Sequence, residues 1–589
     1  MIHKLERDSL HAFRTETLES KLKIYHLPVL LICALSLSAC QREPASAEPE
    51  VSTPEPEFSL ENASPVTDVD RMIANIRELS SDEYGGREPM SEGETMSLEF
   101  IEQRFRDMGL EPLFGDSFLQ AVDLVSIEAD PDTAQMTFHM DGKDRLVKHE
   151  DEMVTGTMRV VPESRVESSE VVFVGYGIVA PEYGWNDYAD VDVQGKTVLI
   201  LVNDPGFATQ DPALFKGNAM TYYGRWTYKY EEAARQGAAA ALVIHDTAPA
   251  AYGWEVVRNG GTGPQFHLHR ENDNMDRVPI ESWIQKHIAE ELIEAAGLNL
   301  ATLEQQALSQ EFKAVELGST MDASVQNRII RNQSYNVGAI LRGSKRPEEA
   351  FIYMAHWDHI GTDPAVGEGE DGIYNGAIDN ASGIAALLEL AYSYAALPRA
   401  PERSVAFLAV TAEESGLLGS AHYAANPAIA MSNTIAGINM DSMNVHGPTN
   451  DVVVVGYGSS ELEDILIQKA SADERIIKPE ENPERGYYYR SDHFNFAKKG
   501  VPMLYAESGS DHRELGPEYI KGKMDEYQEF RYHTALDEIE DDWDLRGLVQ
   551  DIQLYFAIGL EVADSDAWPE WYEGNEFRSI REHSLQEKG

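Results

Sequence analysis

Cysteine is almost missing: Cys33 and Cys40 are the two thiols in 589 residues, and both lie in or beside the first apolar run. No disulfide framework can therefore hold the folded body. Long apolar runs are missing too. The stretch 27–39 is too short for a permanent membrane span but has the length of a signal-peptide core, with Lys21 and Lys23 ahead of it. Basic residues are scarce. Against 48 Lys plus Arg stand 101 Asp plus Glu, a formal charge of -53, which repels nucleic acid and excludes it as a partner. There is no internal repeat, so a solenoid is excluded. What remains is an ordinary globular composition, 42% hydrophobic and 9% aromatic, on a chain longer than one core usually organises.

The apolar run closes on Leu37-Ser38-Ala39-Cys40, which resembles the bacterial lipobox. The resemblance implies cleavage before Cys40 and a lipid on its sulfur, so that the protein is exported and anchored to a membrane. Gln41 stands where an Asp commonly retains lipoproteins at the inner membrane, which favours the outer membrane facing the periplasm, or the cell surface. Residues 1–39 are then a signal peptide and 40–66 a Pro-, Glu-, Ser- and Ala-rich tether unable to bury enough surface to fold. Helical periodicity follows in 67–120, with Met72, Ile73, Ile76 and Leu79 on one face, then Ile101 and Phe105 before the Gly109 stop.

Between 121 and 322 the pattern turns to short apolar strands, at 171–174, 197–202 and 239–244. From 323 to 565 strands alternate with helices, which argues an α/β domain with helices on both faces of a mixed, mostly parallel sheet. Strands are expected at 335–341, 350–354, 405–411, 435–439, 452–455 and 503–505, and helices at 383–396, 460–470 and 545–562. Residues 566–589 form a tail.

Open α/β sheets bind ligands at the carboxyl ends of their strands. This chain repeatedly places metal-ligand residue types there. One strand runs into His356-Trp357-Asp358, another into Glu413-Glu414 with Gly416 and Gly419 behind it, a third into Met440-Asp441. Asp379 opens Asp379-Asn-Ala-Ser-Gly383 at a helix start, and His533 sits in Tyr532-His-Thr. Two histidines and three carboxylates can give each of two zinc ions one imidazole and one terminal carboxylate, the remaining acid bridging ions about 3.5 to 4 Å apart. Of two adjacent glutamates, one can then bind metal while the other faces the reacting water. His359, Glu368, Glu370 and Asp371 read as a solvated loop between His356 and Asp379.

The order His-x-Asp, Asp-Asn-Ala-Ser-Gly, Glu-Glu-x-Gly-x-x-Gly-Ser, Met-Asp, Ser-Asp-His and Tyr-His-Thr resembles the co-catalytic zinc aminopeptidases, a family that includes bacterial leucyl aminopeptidases and glutamate carboxypeptidase-like enzymes. That resemblance implies a zinc-exopeptidase α/β/α sandwich acting on peptides with two zinc ions per chain. It places one metal on His356, Asp379 and Asp441 and the other on Asp379, Glu414 and His533. It makes Glu413 the general base, Asp358 the group that fixes the His356 tautomer, and Tyr532 a donor to the oxyanion. Segment 121–322, with Gly175-Tyr-Gly-Ile-Val-Ala-Pro181, Trp185, Asp187, Tyr188 and the aromatic stretch Tyr222 to Tyr230, resembles the protease-associated domain inserted in many secreted zinc exopeptidases. The expected activity is removal of N-terminal residues from peptides. The alternatives are a carboxypeptidase or dipeptidase, for which Arg485 and Arg490 are the nearby cations, a glutaminyl cyclase, or an inactive receptor-like protein.

Overall fold

The structure is a computed structural model that describes residues 59–588 except 61, 62, 364, 368 and 369. The signal and lipidation expectations, with Cys40, most of the tether and Glu368, lie outside the described residues. The last tether residues that are described pack against the body: Leu60 is buried in the main core, and the Val66 N–H donates to Ser393 Oγ at 3.1 Å.

The C-terminal half is built on strand Arg346–His356. Its residues Phe351 to Ala355 are wholly buried, as expected of a strand covered on both faces. It pairs in parallel with Arg403–Val410 on one side and Thr434–Asn439 on the other, and the latter pairs in parallel with Met503–Ser508. Antiparallel strands flank this parallel centre: Val315–Leu341 beside Arg403–Val410, and Asp451–Val454 beside Met503–Ser508. The sheet is mixed, with a parallel middle.

Helices cover both faces. Gly383–Ala395 is apolar nearly all round and sits with Arg546–Ala563 and the amphipathic Val69–Leu79 in one core, as a helix without a solvent face must. Val69–Leu79 starts where the Asp68 side chain accepts the N–H groups of Asp70 and Arg71, and it is tied down by Arg71 on the buried Glu389 at 2.7 Å. Tyr423, from Leu418–Ala425, and Phe496, from His493–Ala497, fill the opposite face.

Strand Val315–Leu341 runs through both halves of the molecule. Its first part pairs with Glu163–Phe173 and Gln135–Met140, its second with Leu119–Ala129 and Arg403–Val410. Chain pairing of this kind ties the 121–322 segment to the C-terminal sheet without a linker. That segment also holds more helix than a β-rich reading implies. Three parallel strands, Thr197–Leu201, Ala240–His245 and Ile280–Gln285, are accompanied by helices Trp226–Arg235, Lys286–Ala295 and Leu300–Gln306. The tyrosines of Trp226–Arg235 pack into its cores.

Candidate metal centre

Three parallel strands end on one rim, and the loops that leave them carry the acids and histidines. His356 is the last residue of its strand and is 1% exposed. Its Nε2 lies 3.2 Å from Asp379 Oδ1 and 3.4 Å from Asp441 Oδ1. Asp441 follows strand Thr434–Asn439, and its other oxygen accepts a 2.5 Å hydrogen bond from Ser491 Oγ, which in turn accepts one from Asn439 Nδ2 at 2.7 Å. The second oxygen of Asp379 lies 3.4 Å from His533 Nε2, and the same nitrogen lies 3.1 Å from Glu414 Oε2. Asp379 thus stands between two histidine–carboxylate groups, one on each of its oxygens.

Zinc held at 2.0 to 2.2 Å in tetrahedral geometry leaves its ligands about 3.4 Å apart. The four separations above, 3.1 to 3.4 Å, lie close to that edge. Asp379 Oδ1 and His533 Nε2 are buried and make no hydrogen bond among the described residues, despite their close neighbours. Their distances to these neighbours suit a shared ion. The donor set of imidazoles and carboxylates fits zinc-type ions: His356, Asp379 and Asp441 form one group that could hold an ion, and His359, Asp379 and Glu414 form another.

The loops are held from behind. Asp379 is anchored by Asp537, whose carboxylate accepts the N–H groups of Ile378 and Asp379, each at 3.0 Å. Arg87, 1% exposed, donates to the carbonyls of Leu79, Trp357, Asn375 and Gly376 at 2.6 to 3.0 Å. It clamps the loop after His356 to the loop before Asp379, and it places a buried cation under a cluster of acids. Burial lowers its pKa to about 10, against the raising pull of Asp537, Asp379, Asp358 and Glu414. The turn behind Glu413 and Glu414 needs Gly419: a Cβ there would meet the Thr411 carbonyl oxygen at 2.3 Å.

The two adjacent glutamates have opposite environments. Burial raises both carboxyl groups, but His359 and His533 outweigh it at Glu414 and bring that group down to about 2. At Glu413 burial wins, helped by Glu414, Asp441 and Asp492, and the carboxyl stands well above the usual range. Environments that push paired carboxyls apart separate their chemical roles.

Each residue named from the sequence for the metals is on this rim, and two details differ in partner. His356 Nδ1 lies 3.2 Å from the backbone carbonyl of Asp358 and 3.8 Å from its carboxylate, whose Oδ1 instead accepts the Glu413 N–H at 3.1 Å. Asp358 therefore shapes the site through its backbone and through Glu413. His359, expected in a solvated loop, is buried with Nδ1 2.7 Å from Glu414 Oε1. The Tyr532 ring stacks on His533 at 3.8 Å, with the residue 36% exposed at the mouth. Of Ser491-Asp492-His493, the serine reaches the site, Asp492 accepts from Ser420 Oγ at 2.5 Å, and His493 packs between Tyr488 and Tyr505.

A family model, peptidase family M28, matches residues 336–557, the stretch that carries all five ligand candidates and Glu413. Residues 336–557 are thus similar to peptidase family M28. The chain is similar to a probable zinc metalloprotease of Pyrenophora teres f. teres (strain 0-1), 36% identical over 105 residues, 18% of this chain and 22% of that protein. It is also similar to the mouse aminopeptidase NAALADL1, 33% identical over 129 residues, 21% of this chain and 16% of that protein. The match therefore spans less than a quarter of the length of these relatives. Among solved structures, an aminopeptidase from Aneurinibacillus sp. strain AM-1 aligns over 85% of this chain and 95% of its own, at 21% identity and a TM-score of 0.45.

Proposed function

We propose that this protein is a metal-dependent aminopeptidase that removes N-terminal residues from peptides with two zinc ions per chain. The observation that carries the reading is Asp379 between His356–Asp441 and Glu414–His533, at ligand-to-ligand separations of 3.1 to 3.4 Å. His356, Asp379 and Asp441 would hold one ion, and Asp379, Glu414 and His533 the other. When bound, such a pair supplies Lewis acidity toward a water and a substrate carbonyl.

The chain's own groups do the rest. Glu413, which burial makes a stronger base than an ordinary glutamate, takes the proton of the attacking water and returns it to the leaving amine. Asp358 fixes the backbone of Glu413 through the 3.1 Å bond from its N–H. Tyr532, partly exposed beside His533, can donate its hydroxyl proton to the developing oxyanion. Burial, with Asp379 and the glutamates beside it, raises the tyrosine hydroxyl above its ordinary pKa, so it stays a donor.

A second reading, release of C-terminal residues, has one observation in its favour. Arg225, from the inserted segment, is pushed down to about 10 by burial and by neighbouring Arg490, and its Nε is buried without a hydrogen bond among the described residues. Arg490 directly precedes Ser491, whose hydroxyl donates to Asp441. A pair of guanidinium groups behind that serine would suit a substrate carboxylate.

A panel of aminoacyl-4-nitroanilides, N-acetylated peptides and C-terminally amidated peptides separates the readings. The expected result is cleavage of free-amine substrates whether or not the C-terminus is amidated, lost on chelation and restored by zinc. Cleavage that needs a free C-terminal carboxylate and tolerates N-acetylation would move the function to the second reading.

We also propose that Cys40 carries a lipid that anchors the exported protein, supported by Leu37-Ser38-Ala39-Cys40 behind its apolar run and by the spacer composition that follows. Replacing Cys40 with Ala should shift the protein from the membrane to the soluble fraction; an unchanged membrane fraction would refute the anchor. For segment 121–322 the aromatic and glycine pattern supports a protease-associated domain.

A further inference from the structure

We infer that His359 is a positioning residue for the second metal: it donates Nδ1–H to Glu414 Oε1 and thereby turns Glu414 Oε2 toward His533 and Asp379. The inference rests on the two-metal reading above and assigns a role to a residue outside its ligand set.

His359 forms, with Asp379 and Glu414, a group whose ligand atoms lie close enough together to hold an ion, and the distance at Nδ1 separates the positioning role from ligation through that nitrogen. The histidine–carboxylate pairs at the two metal positions are 3.1 to 3.4 Å apart, close to the edge expected when an ion lies between them. His359 Nδ1 and Glu414 Oε1 are 2.7 Å apart. That is too short for such an edge and right for a charge-assisted N–H···O bond, about 2.7 to 2.9 Å. A proton, not an ion, joins this pair. With Oε1 so occupied, Glu414 presents one oxygen, Oε2, 3.1 Å from His533 Nε2.

The ring is built in. Its side chain is fully buried, and it meets the His533 ring edge-on at 5.7 Å. Gly376, at φ +54°, leaves room for it, since a Cβ there would meet His359 Cδ2 at 2.6 Å. The His359 N–H donates to the Arg87 carbonyl at 3.3 Å, so the clamp that holds the two ligand loops also holds this residue. Nε2 is buried without a hydrogen-bond partner among the described residues. The polar contact that this side chain does make is to a metal-binding carboxylate. Groups that orient metal ligands in this way typically change metal affinity about 10- to 100-fold when removed.

The test is calorimetric zinc titration of metal-free wild type, His359→Ala, His359→Asn and His359→Gln, with melting temperatures read with and without zinc. Asn can place a donor where Nδ1 lies; Gln cannot. Wild type should take up two zinc ions. His359→Ala and His359→Gln should bind the first as wild type does and the second about 10- to 100-fold more weakly, and His359→Asn should recover most of that loss. Equal second-site affinity in all four proteins, with any change confined to the zinc-free melting temperature, would make His359 a packing residue and overturn the inference. Complete loss of the second site in all three variants, Asn included, would make it a ligand and overturn it too. Wild type binding fewer than two ions would overturn the two-metal reading itself before any variant is compared.

Discussion

Glu413→Gln should lower kcat by about 10²- to 10⁴-fold, the usual contribution of a positioned general base, while the protein keeps its metals and its fold. The substitution preserves size and removes the ability to take a proton. Glu413 is the group for which this matters because its carboxyl is raised by burial and by three surrounding acids, while its neighbour Glu414 is drawn down by two histidines. Its backbone is pinned by Asp358 and by the turn that begins at its carbonyl, where the N–H groups of Gly416 and Leu417 donate at 2.9 Å. The amide should therefore sit where the acid sat. Steady-state kinetics beside zinc analysis checks this. Wild-type turnover in the variant would place the base elsewhere, and loss of zinc would make Glu413 a ligand.

Asp379→Ala should empty both metal positions at once, lowering each zinc affinity by more than about 100-fold, beyond what losing a merely orienting group costs. Asp441→Ala or His533→Ala should weaken mainly one position. The asymmetry follows from geometry: Asp379 Oδ1 faces His356 and Oδ2 faces His533, whereas Asp441 and Glu414 each meet one histidine of those two. Zinc titrations of the three variants read it directly. Retention of one tight ion in Asp379→Ala would show that Asp379 does not bridge.

The parallel centre of the sheet was legible because strands buried on both faces read as unbroken apolar runs, and because ligand residue types follow three of those runs at once. The ligand rim could be placed for that reason. Other features had no local signal. Arg87 lies 270 residues before the Trp357 carbonyl that it meets, and a lone arginine in a Gly-Gly-Arg turn looks like surface. His359 was masked by its surroundings: the acidic stretch after it reads as a solvated loop, although it stands three residues from His356, on the rim itself. Closeness in sequence to His-x-Asp was the available clue. Asp358 differs in its partner because side-chain identity cannot say whether a carboxylate or the carbonyl behind it will meet a histidine. The long strand Val315–Leu341 spans an expected boundary at 322 because burial alternates across that position, from Leu317 to Val325, and the helices of segment 121–322 are short enough for their periodicity to be lost among strands.

The central claim is that one rim holds two catalytic metals. Zinc titrated into the metal-free full chain, with bound metal and cleavage of a leucyl anilide read together, tests it most directly. The account predicts saturation at two equivalents, with activity recovered as the sites fill and none recovered in Glu413→Gln. Saturation at one equivalent with full activity, or cleavage by the metal-free chain, would contradict it.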